Sequence, residues 1–91
     1  MLYAVICIDK PGRLETRRAN RDAHLEHIRA AGGAIRQAGP LLDPEGEMAG
    51  SLLIFEAEDI AEVERWCAGD PYAEAGLFGR VEIRPWKRVI G

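Results

Sequence analysis

Two short segments of this 91-residue chain are apolar on both faces of the strands they predict. Residues 2–8 (L-Y-A-V-I-C-I) contain no charged side chain before the turn D-K-P-G, and residues 51–57 (S-L-L-I-F-E-A) largely repeat the pattern. Because successive side chains of a strand point to opposite faces, each strand needs apolar cover on both sides. The helices of so small a domain cover only one face of a sheet. We therefore expect a homodimer in which two copies pack sheet against sheet.

Further patterns along the chain complete a βαββαβ order of elements. Residues 14–31 are rich in Arg, Glu, Ala and Leu, which favour a helix, and the glycine pair that follows is typical of a helix end. Residues 34–42 predict a second strand. Residues 59–68 predict a helix that a D-x-x-E capping box opens at Asp59. The last strand is predicted over residues 81–89.

This order of elements predicts an α+β, ferredoxin-like domain. Such a domain has a four-stranded antiparallel sheet with strand order 4-1-3-2 and its helices on one face. The strands at 2–8 and 51–57 are then central, and the other two are edges. The edge strands carry Pro40 and Pro85, which central strands do not tolerate. No linker, repeat or low-complexity tract divides the chain, and we expect one domain over residues 1–91.

The charges of the chain are interleaved and favour no polyanionic partner. Twelve Lys and Arg against fifteen Asp and Glu leave a net charge of −3, which does not attract nucleic acid or an anionic membrane. Arg17, Arg18 and Arg21, and the pair at 87–88, come nearest to a basic cluster. We interpret them as solvated faces, the alternative being contact with a phosphate or carboxylate. No window approaches the ~18 apolar residues of a membrane span.

The cysteines and the first residues bear on the compartment. The opening strand is β-branched and has no basic segment before it, so it does not resemble a secretory signal. Cys7 and Cys67 form neither a disulfide scaffold nor a C-x-x-C motif, and we expect both to pack in the core. We therefore expect a reducing, cytoplasmic compartment.

His24 occupies a position where the first helix should be apolar. The stripe that follows the i, i+3, i+4 rule consists of Arg21, His24, Leu25, Ile28 and Ala31. A histidine on this stripe either bonds one backbone carbonyl at the helix margin or lines a cavity as a general acid or base. His27 lies on the polar side of the helix, beside Glu26, and is expected at the surface.

Asp70 also has a structural and a functional interpretation. An Asp followed by Pro71 is typical of an N-cap with proline at the first helical position. A cap uses one carboxylate oxygen, so the other oxygen is free to orient an imidazole. A pairing of His24 with Asp70 is the minimal equipment for acid–base chemistry. The sequence by itself does not bring these two residues together.

Other candidates flank the predicted turn between the second and third strands. Gly39-Pro40 and Gly50-Ser51 either allow close approach of a ligand to the backbone or fit the geometry of the turn. Ser51 is a candidate hydrogen-bond donor into a cavity, and it lacks the G-x-S-x-G setting of a nucleophile. The aromatic residues that either pack in the core or an interface, or form cavity walls, are Tyr72 and Trp86.

No metal or cofactor is expected from the motifs. His24 and His27 stand three residues apart without a third ligand at metal spacing. The chain contains no phosphate-binding loop and no dinucleotide fingerprint. A small-molecule substrate is therefore the expected partner besides a second copy of the chain.

Six segments in this order and spacing resemble the YciI-like (YCII-related) family of small dimeric α+β-barrel proteins. They are M-L-Y-A-V-I-C at the start, R-D-A-H-L-E-H-I at 21–28, A-G-P at 38–40, G-S at 50–51, D-P-Y-A-E-A-G-L-F at 70–78 and V-E-I-R-P-W-K at 81–87. The resemblance implies that His24 and Asp70 form the catalytic pair. The neighbouring pocket positions that it implies are Arg21, Gly39, Pro40, Ser51, Pro71 and Tyr72.

The resemblance also implies a class of activity. The family is related in fold to muconolactone isomerase and to cofactor-free monooxygenases, and one branch is similar to enzymes that dehydrochlorinate hydroxylated aromatics. Our hypothesis is a cofactor-independent lyase or isomerase for a small cyclic or aromatic compound. In it His24 moves a proton, Asp70 orients and stabilises the imidazole, and Arg21 pairs with an acidic substrate group. The alternative is a non-catalytic small-molecule-binding or accessory domain.

Overall fold

The chain folds into one antiparallel sheet that carries its helices on one face. The computed structural model describes all 91 residues. In chain order the elements are β1 (Leu2–Asp9), α1 (Leu14–Ala30), a 3₁₀ turn (Gly32–Ala34), β2 (Ile35–Leu42), β3 (Met48–Glu56), α2 (Ile60–Ala68), α3 (Pro71–Glu74) and β4 (Phe78–Trp86). The sheet order β2-β3-β1-β4 is 4-1-3-2 read from the other edge, and all neighbours are antiparallel. The predicted α+β, ferredoxin-like fold is confirmed.

The two strands that are apolar on both faces lie at the centre of the sheet. Val5 of β1 pairs with Leu53 of β3, and both side chains are fully buried beneath the helices. Val63 of α2 packs against the same cluster. Pro40 and Pro85 lie in β2 and β4, the two edge strands, where a missing backbone N–H leaves no ladder partner unsatisfied.

The last strand begins and ends three residues earlier than the predicted segment 81–89. The reason is the tight turn that follows α3: Gly76 adopts a φ of +70°, and the backbone N–H of Leu77 donates to the carbonyl of Tyr72. Phe78 can therefore already pair with Asp9, beyond a bulge near the end of β1. The early start places β4 beside the loop that carries α3.

The turn between β2 and β3 is shorter than expected. The carboxylate of Asp43 accepts the backbone N–H groups of Glu45 and Glu47 at 2.9 and 3.0 Å, which closes the turn locally. As a result β3 begins at Met48, three residues before the predicted start. Strand β2 pairs with β3 from Ile35 to Leu42, with an irregularity in the register near each end.

The pairs Gly39-Pro40 and Gly50-Ser51 lie inside these strands instead of flanking the turn. Pro40 stands directly opposite Ser51 in the β2–β3 register. A Cβ atom at position 50 would collide with the backbone carbonyl oxygen of Cys7. Glycine at this position thus permits the close approach of β3 to β1, and no ligand is needed to explain it.

Helix α2 begins at the predicted capping motif. The Asp59 carboxylate accepts the backbone N–H of Glu62 at 3.0 Å, and the Glu62 carboxylate accepts the N–H of Glu58 at 3.2 Å. The second bond reaches one residue further back than in a standard capping box. No helix of the chain, α1 included, combines the length and the apolar character needed to cross a membrane.

The face of the sheet away from the helices is apolar along its centre. Ile6 of β1 pairs with Leu52 of β3, and Leu2 pairs with Trp86 of β4. Ile8 and Leu52 are 41% and 40% exposed in the single chain. A row of large apolar side chains this exposed is a candidate interface.

Candidate active site

Helix α1 presents two buried polar side chains to the sheet. Arg17 and His24 lie about two helical turns apart and so fall on the same face, and only 2% and 6% of each is exposed. The prediction that Arg17 belongs to a solvated basic cluster is therefore wrong. Arg18 does fit that prediction, because it is exposed and pairs with Glu15.

His24 is bonded through one ring nitrogen to Asp70. Its Nδ1 lies 2.9 and 3.1 Å from the two carboxylate oxygens, although 46 residues separate the two in sequence. A carboxylate only accepts, so the contact assigns the proton of the neutral imidazole to Nδ1 and a lone pair to Nε2. Nε2 has no hydrogen-bond partner in the protein, and it is not sealed from the cavity that His24 lines.

Asp70 combines the two roles that the sequence left open. Its Oδ1 accepts the backbone N–H of Tyr72 at 3.0 Å, which caps α3, with Pro71 at the first helical position. The same carboxylate accepts the Nδ1 proton of His24. Since the cap fixes the carboxylate and the residue is buried, the orientation of the imidazole is fixed as well.

Tyr72 connects His24 to Arg17. Its ring stacks on the imidazole with centroids 4.0 Å apart and an interplanar angle of 17°, and the Arg17 guanidinium carbon lies 4.5 Å from the ring centroid. Burial raises the pKa of the Tyr72 phenol, and the Arg17 guanidinium partly offsets this. The phenol is therefore neutral at physiological pH.

Arg17 is held by a buried ion pair. Its Nε and Nη2 donate to the two Asp9 carboxylate oxygens at 2.7 and 2.8 Å, and Nη2 also donates to Ser51 Oγ at 3.0 Å. Burial alone would lower the pKa of Arg17. The contacts with Asp9 outweigh that cost and hold this pKa above its ordinary value, so the guanidinium stays charged.

These side chains surround a cavity of about 220 Å³ between α1 and the sheet. Its polar wall consists of Arg17, Arg21, His24, Ser51 and Tyr72. Its apolar wall includes Leu25, Ile28, Met48 and Leu53, with Gly39 and Pro40 of β2 at one side. Arg21 is exposed and forms no ion pair within the chain, so it is a free cation at the cavity.

Three residues named from the sequence lie elsewhere. Pro71 does not line the cavity and serves as the first residue of α3. Trp86 lies at the end of β4, paired with Leu2, and does not line the cavity that contains His24. His27 is half-buried, not at the surface: its Nε2 lies 2.9 Å from the carbonyl oxygen of Trp66 and its ring stacks on the indole at 4.4 Å.

Arg17 and Asp9 are the site residues that sequence reasoning missed. Arg17 precedes His24 by seven residues and Arg21 by four, so the helical stripe that contains those two residues already includes it. Asp9 had no comparable signal, because its partnership with Arg17 exists only once β1 packs against α1.

The cysteines and carboxylates offer no alternative centre of chemistry. Burial raises the pKa of the Cys7 thiol to about 12 and that of Cys67 to about 11, so both are protonated and poor nucleophiles. Both are free of disulfide bonds, and the cytoplasmic location stays a prediction. Nowhere do three or more His, Cys, Asp or Glu side chains converge as they would around a metal ion.

A ferredoxin-like sheet with a cavity of mixed polar and apolar walls beneath its first helix defines a member of the dimeric α+β barrel class. Within this class, the model of the YCII-related domain matches residues 1–87, and the chain belongs to that family. The resemblance stated from the sequence motifs is confirmed.

Some of the known proteins similar to this chain share both its sequence and its fold, and others share its fold alone. Protein YciI of Escherichia coli O6:H1 is 34% identical over 98 residues, covering 99% of this chain and 100% of YciI. The structure of 5-chloro-2-hydroxyhydroquinone dehydrochlorinase (TftG) from Burkholderia phenoliruptrix AC1100, in complex with 2,5-dihydroxybenzoquinone, is similar with a TM-score of 0.89 and 36% identity over 96% of this chain and 94% of TftG. An antibiotic biosynthesis monooxygenase shares the fold alone, with a TM-score of 0.60 and 14% identity over 99% of this chain and 100% of its own.

Proposed function

We propose that this protein is a cofactor-independent enzyme that catalyses elimination or isomerisation of a small oxygenated ring compound. The observation that carries the proposal is the environment of His24. Its Nδ1 is bonded to the buried Asp70, and its Nε2 has no protein partner and is accessible from the cavity. A general base needs this arrangement: one nitrogen oriented by a fixed partner and the other available to the substrate. The similarity to TftG, a dehydrochlorinase, supports the proposed reaction class.

The elimination proceeds through a single proton acceptor. With the substrate in its keto form, His24 Nε2 takes a proton from a hydroxyl or from a saturated ring carbon. The electron pair of the broken O–H or C–H bond forms a new C=O or C=C bond and, directly or through conjugation, expels the leaving group from a saturated ring carbon. The leaving group, such as chloride, departs with the pair that bound it to carbon. The products are the more unsaturated ring, the anion and a proton on Nε2, so no electron acceptor is required. Asp70 stabilises the imidazolium, and such acid–base help accelerates a reaction by about 10²–10⁴-fold.

The cavity limits the size and charge of the substrate. A volume of about 220 Å³ lies below the usual ~300–1,000 Å³ of drug-sized sites and suits one ring with small substituents. Leu25, Ile28 and Leu53 provide apolar contact for the ring faces. Arg21, which has no partner in the chain, pairs with an acidic oxygen of the substrate.

Two measurements test this proposal directly: turnover of a chlorinated hydroquinone and the tautomer of the His24 imidazole. Purified protein treated with a chelator and given no cofactor is expected to release chloride from 5-chloro-2-hydroxyhydroquinone, the compound named for TftG. In ¹⁵N NMR spectra, the neutral His24 ring is expected to carry its proton on Nδ1 instead of the commoner Nε2. Binding of 2,5-dihydroxybenzoquinone without turnover of any chlorinated hydroquinone would support the non-catalytic binding domain instead. Absence of both binding and turnover contradicts the proposed substrate class.

We propose in addition that two copies pair through the open face of the sheet. Ile6, Ile8, Leu52 and Trp86 lie on this face, and the last three are 37–41% exposed in the single chain, which leaves an apolar area in water. A second copy presents the same apolar centre, so a two-fold contact covers both at once.

Leu52→Asp is expected to convert this dimer into a monomer. Leu52 is 40% exposed in the single chain, so the substitution leaves the core intact, but a dimer would bury two unpaired carboxylates. The dimer should weaken by about 10²-fold or more, equivalent to roughly 3 kcal/mol. Size-exclusion chromatography with light scattering measures the mass, and Leu42→Asp, at an exposed position near the hairpin, is the control. A wild-type chain that is monomeric at micromolar concentration contradicts the proposal.

A further inference from the structure

Ser51 has a hydroxyl proton that no group of the protein accepts. It is the only serine of the chain, it is buried, and it lies in the cavity wall. Its single side-chain hydrogen bond comes from Arg17 Nη2 at 3.0 Å. A guanidinium can only donate, so this bond uses a lone pair of Ser51 Oγ and leaves the O–H free. An acceptor for that proton must come from whatever occupies the cavity.

The groups behind Ser51 make its hydroxyl a stronger donor. Asp9 fixes the Arg17 guanidinium through two bonds of 2.7 and 2.8 Å, with Nη2 directed at Ser51 Oγ. A hydroxyl that accepts a bond from a cation becomes more polarised and donates more strongly in turn. Because only 2–6% of these three side chains is exposed, water screens the effect little.

The cavity therefore presents one free acceptor and one free donor. The acceptor is His24 Nε2 and the donor is Ser51 Oγ–H, and both belong to side chains that line the same space. We propose that Ser51, backed by Arg17 and Asp9, binds and polarises a carbonyl or enolate oxygen of the substrate while His24 removes a proton. As the proton moves to Nε2, negative charge grows on that oxygen, and the Ser51 hydrogen bond strengthens.

This inference rests on the proposed function and narrows its substrate class. The ligand needs an acidic hydrogen for His24 and, on the same small ring, a carbonyl or ionised hydroxyl oxygen for Ser51. Hydroxyquinones, and hydroxylated arenes in their keto form, meet both requirements. A ring without such an oxygen leaves the buried Ser51 hydroxyl without an acceptor and should bind weakly.

The test uses 2,5-dihydroxybenzoquinone as the probe and four proteins: wild type, Ser51→Ala, Ser51→Thr and Thr16→Val. Thr16 carries the only other aliphatic hydroxyl of the chain and lies outside the cavity wall, so its variant is the matched control. Ser51→Ala is expected to fold, because Arg17 Nη2 keeps its bond to Asp9 Oδ1 at 2.8 Å. Circular dichroism and thermal unfolding verify this for every variant.

Difference infrared spectra of the bound quinone report polarisation directly. In wild type the carbonyl stretch of the bound quinone should lie below its frequency in solution. In Ser51→Ala this frequency should move part of the way back towards the solution value, and the affinity for the quinone should be about tenfold weaker. For 5-chloro-2-hydroxyhydroquinone, kcat should fall about 10²-fold. Ser51→Thr, which keeps the hydroxyl, should restore both the shift and kcat, and Thr16→Val should match wild type.

The outcomes separate this inference from the proposed function. If Ser51→Ala keeps the wild-type carbonyl frequency, affinity and kcat while His24→Gln loses turnover, the role of Ser51 is wrong and that of His24 stands. If Ser51→Ala loses affinity with no change in carbonyl frequency, Ser51 shapes the cavity without polarising the ligand, and the inference is likewise overturned. A wild-type protein that neither binds the quinone nor turns over the chlorinated ring contradicts both.

Discussion

His24→Gln is expected to lower kcat for the ring substrate by about 10²–10⁴-fold. Glutamine is similar in size to histidine and can still hydrogen-bond to Asp70, but its amide neither accepts nor returns a proton. The dissociation constant for 2,5-dihydroxybenzoquinone should change only a few-fold, because the cavity walls from Leu25, Ile28 and Leu53 stay in place. A loss in kcat with nearly constant affinity is the signature of a group that acts in the transition state.

His27→Gln is the matched control for this experiment. His27 lies one turn further along α1, and its ring contacts Trp66 instead of the cavity. Its replacement should cost some stability by removing the stacking on the indole, and kcat should stay within about twofold of wild type. Turnover by His24→Gln at the wild-type rate, in a protein with native circular dichroism, would contradict the assignment of His24 as the base.

Much of the fold follows from local sequence properties. The apolar strands had to be central, and the prolines at 40 and 85 marked the edges, because backbone hydrogen bonding admits few other solutions. The start of β4 did not follow from such patterns. It depends on the turn at Gly76 and on a bulge at the end of β1, and both become visible only when the strands pair.

The candidate site was predictable in its residue types and not in its contacts. The helical stripe directed attention to His24, and D-P marked Asp70 as a cap, but their bond spans 46 residues and depends on the loop after α2. Arg17 was misjudged because an arginine is usually solvated. Its position on the stripe carried the correct information, but an accepting carboxylate was needed to make burial favourable, and Asp9 lies on a different element.

Tyr72 explains why the two buried groups form one site. Its backbone N–H fixes the Asp70 carboxylate, and its ring contacts both the His24 imidazole and the Arg17 guanidinium. The short helix α3 therefore orients the His24 imidazole through Asp70, and it places the Tyr72 ring against the Arg17 guanidinium. A helix of four residues forms few hydrogen bonds of its own. The buried Asp70 cap and the proline at its first position therefore help to hold it in place.

Arg17→Met is expected to destabilise the protein by about 3–5 kcal/mol, because it leaves the Asp9 carboxylate buried without a partner. Small domains have total stabilities of only about 5–15 kcal/mol, so the variant should unfold at a much lower urea concentration. Arg18→Met, at the neighbouring exposed position, removes only two surface pairs, with Glu15 and Glu47, and should change stability by less than about 1 kcal/mol. Urea unfolding followed by circular dichroism measures all three proteins.

The double variant Arg17→Met with Asp9→Asn separates the cost of an orphaned charge from the loss of packing. Removing both charges should recover most of the stability lost in Arg17→Met, since a buried ion pair is often replaceable by uncharged groups at little cost. Turnover should not recover, because Ser51 still lacks the cation that donates to it. If the double variant is as unstable as Arg17→Met, the guanidinium stabilises α1 through its contact with Tyr72 and not through Asp9. If it regains both stability and full turnover, the buried pair is structural alone, and Ser51 needs no cation behind it.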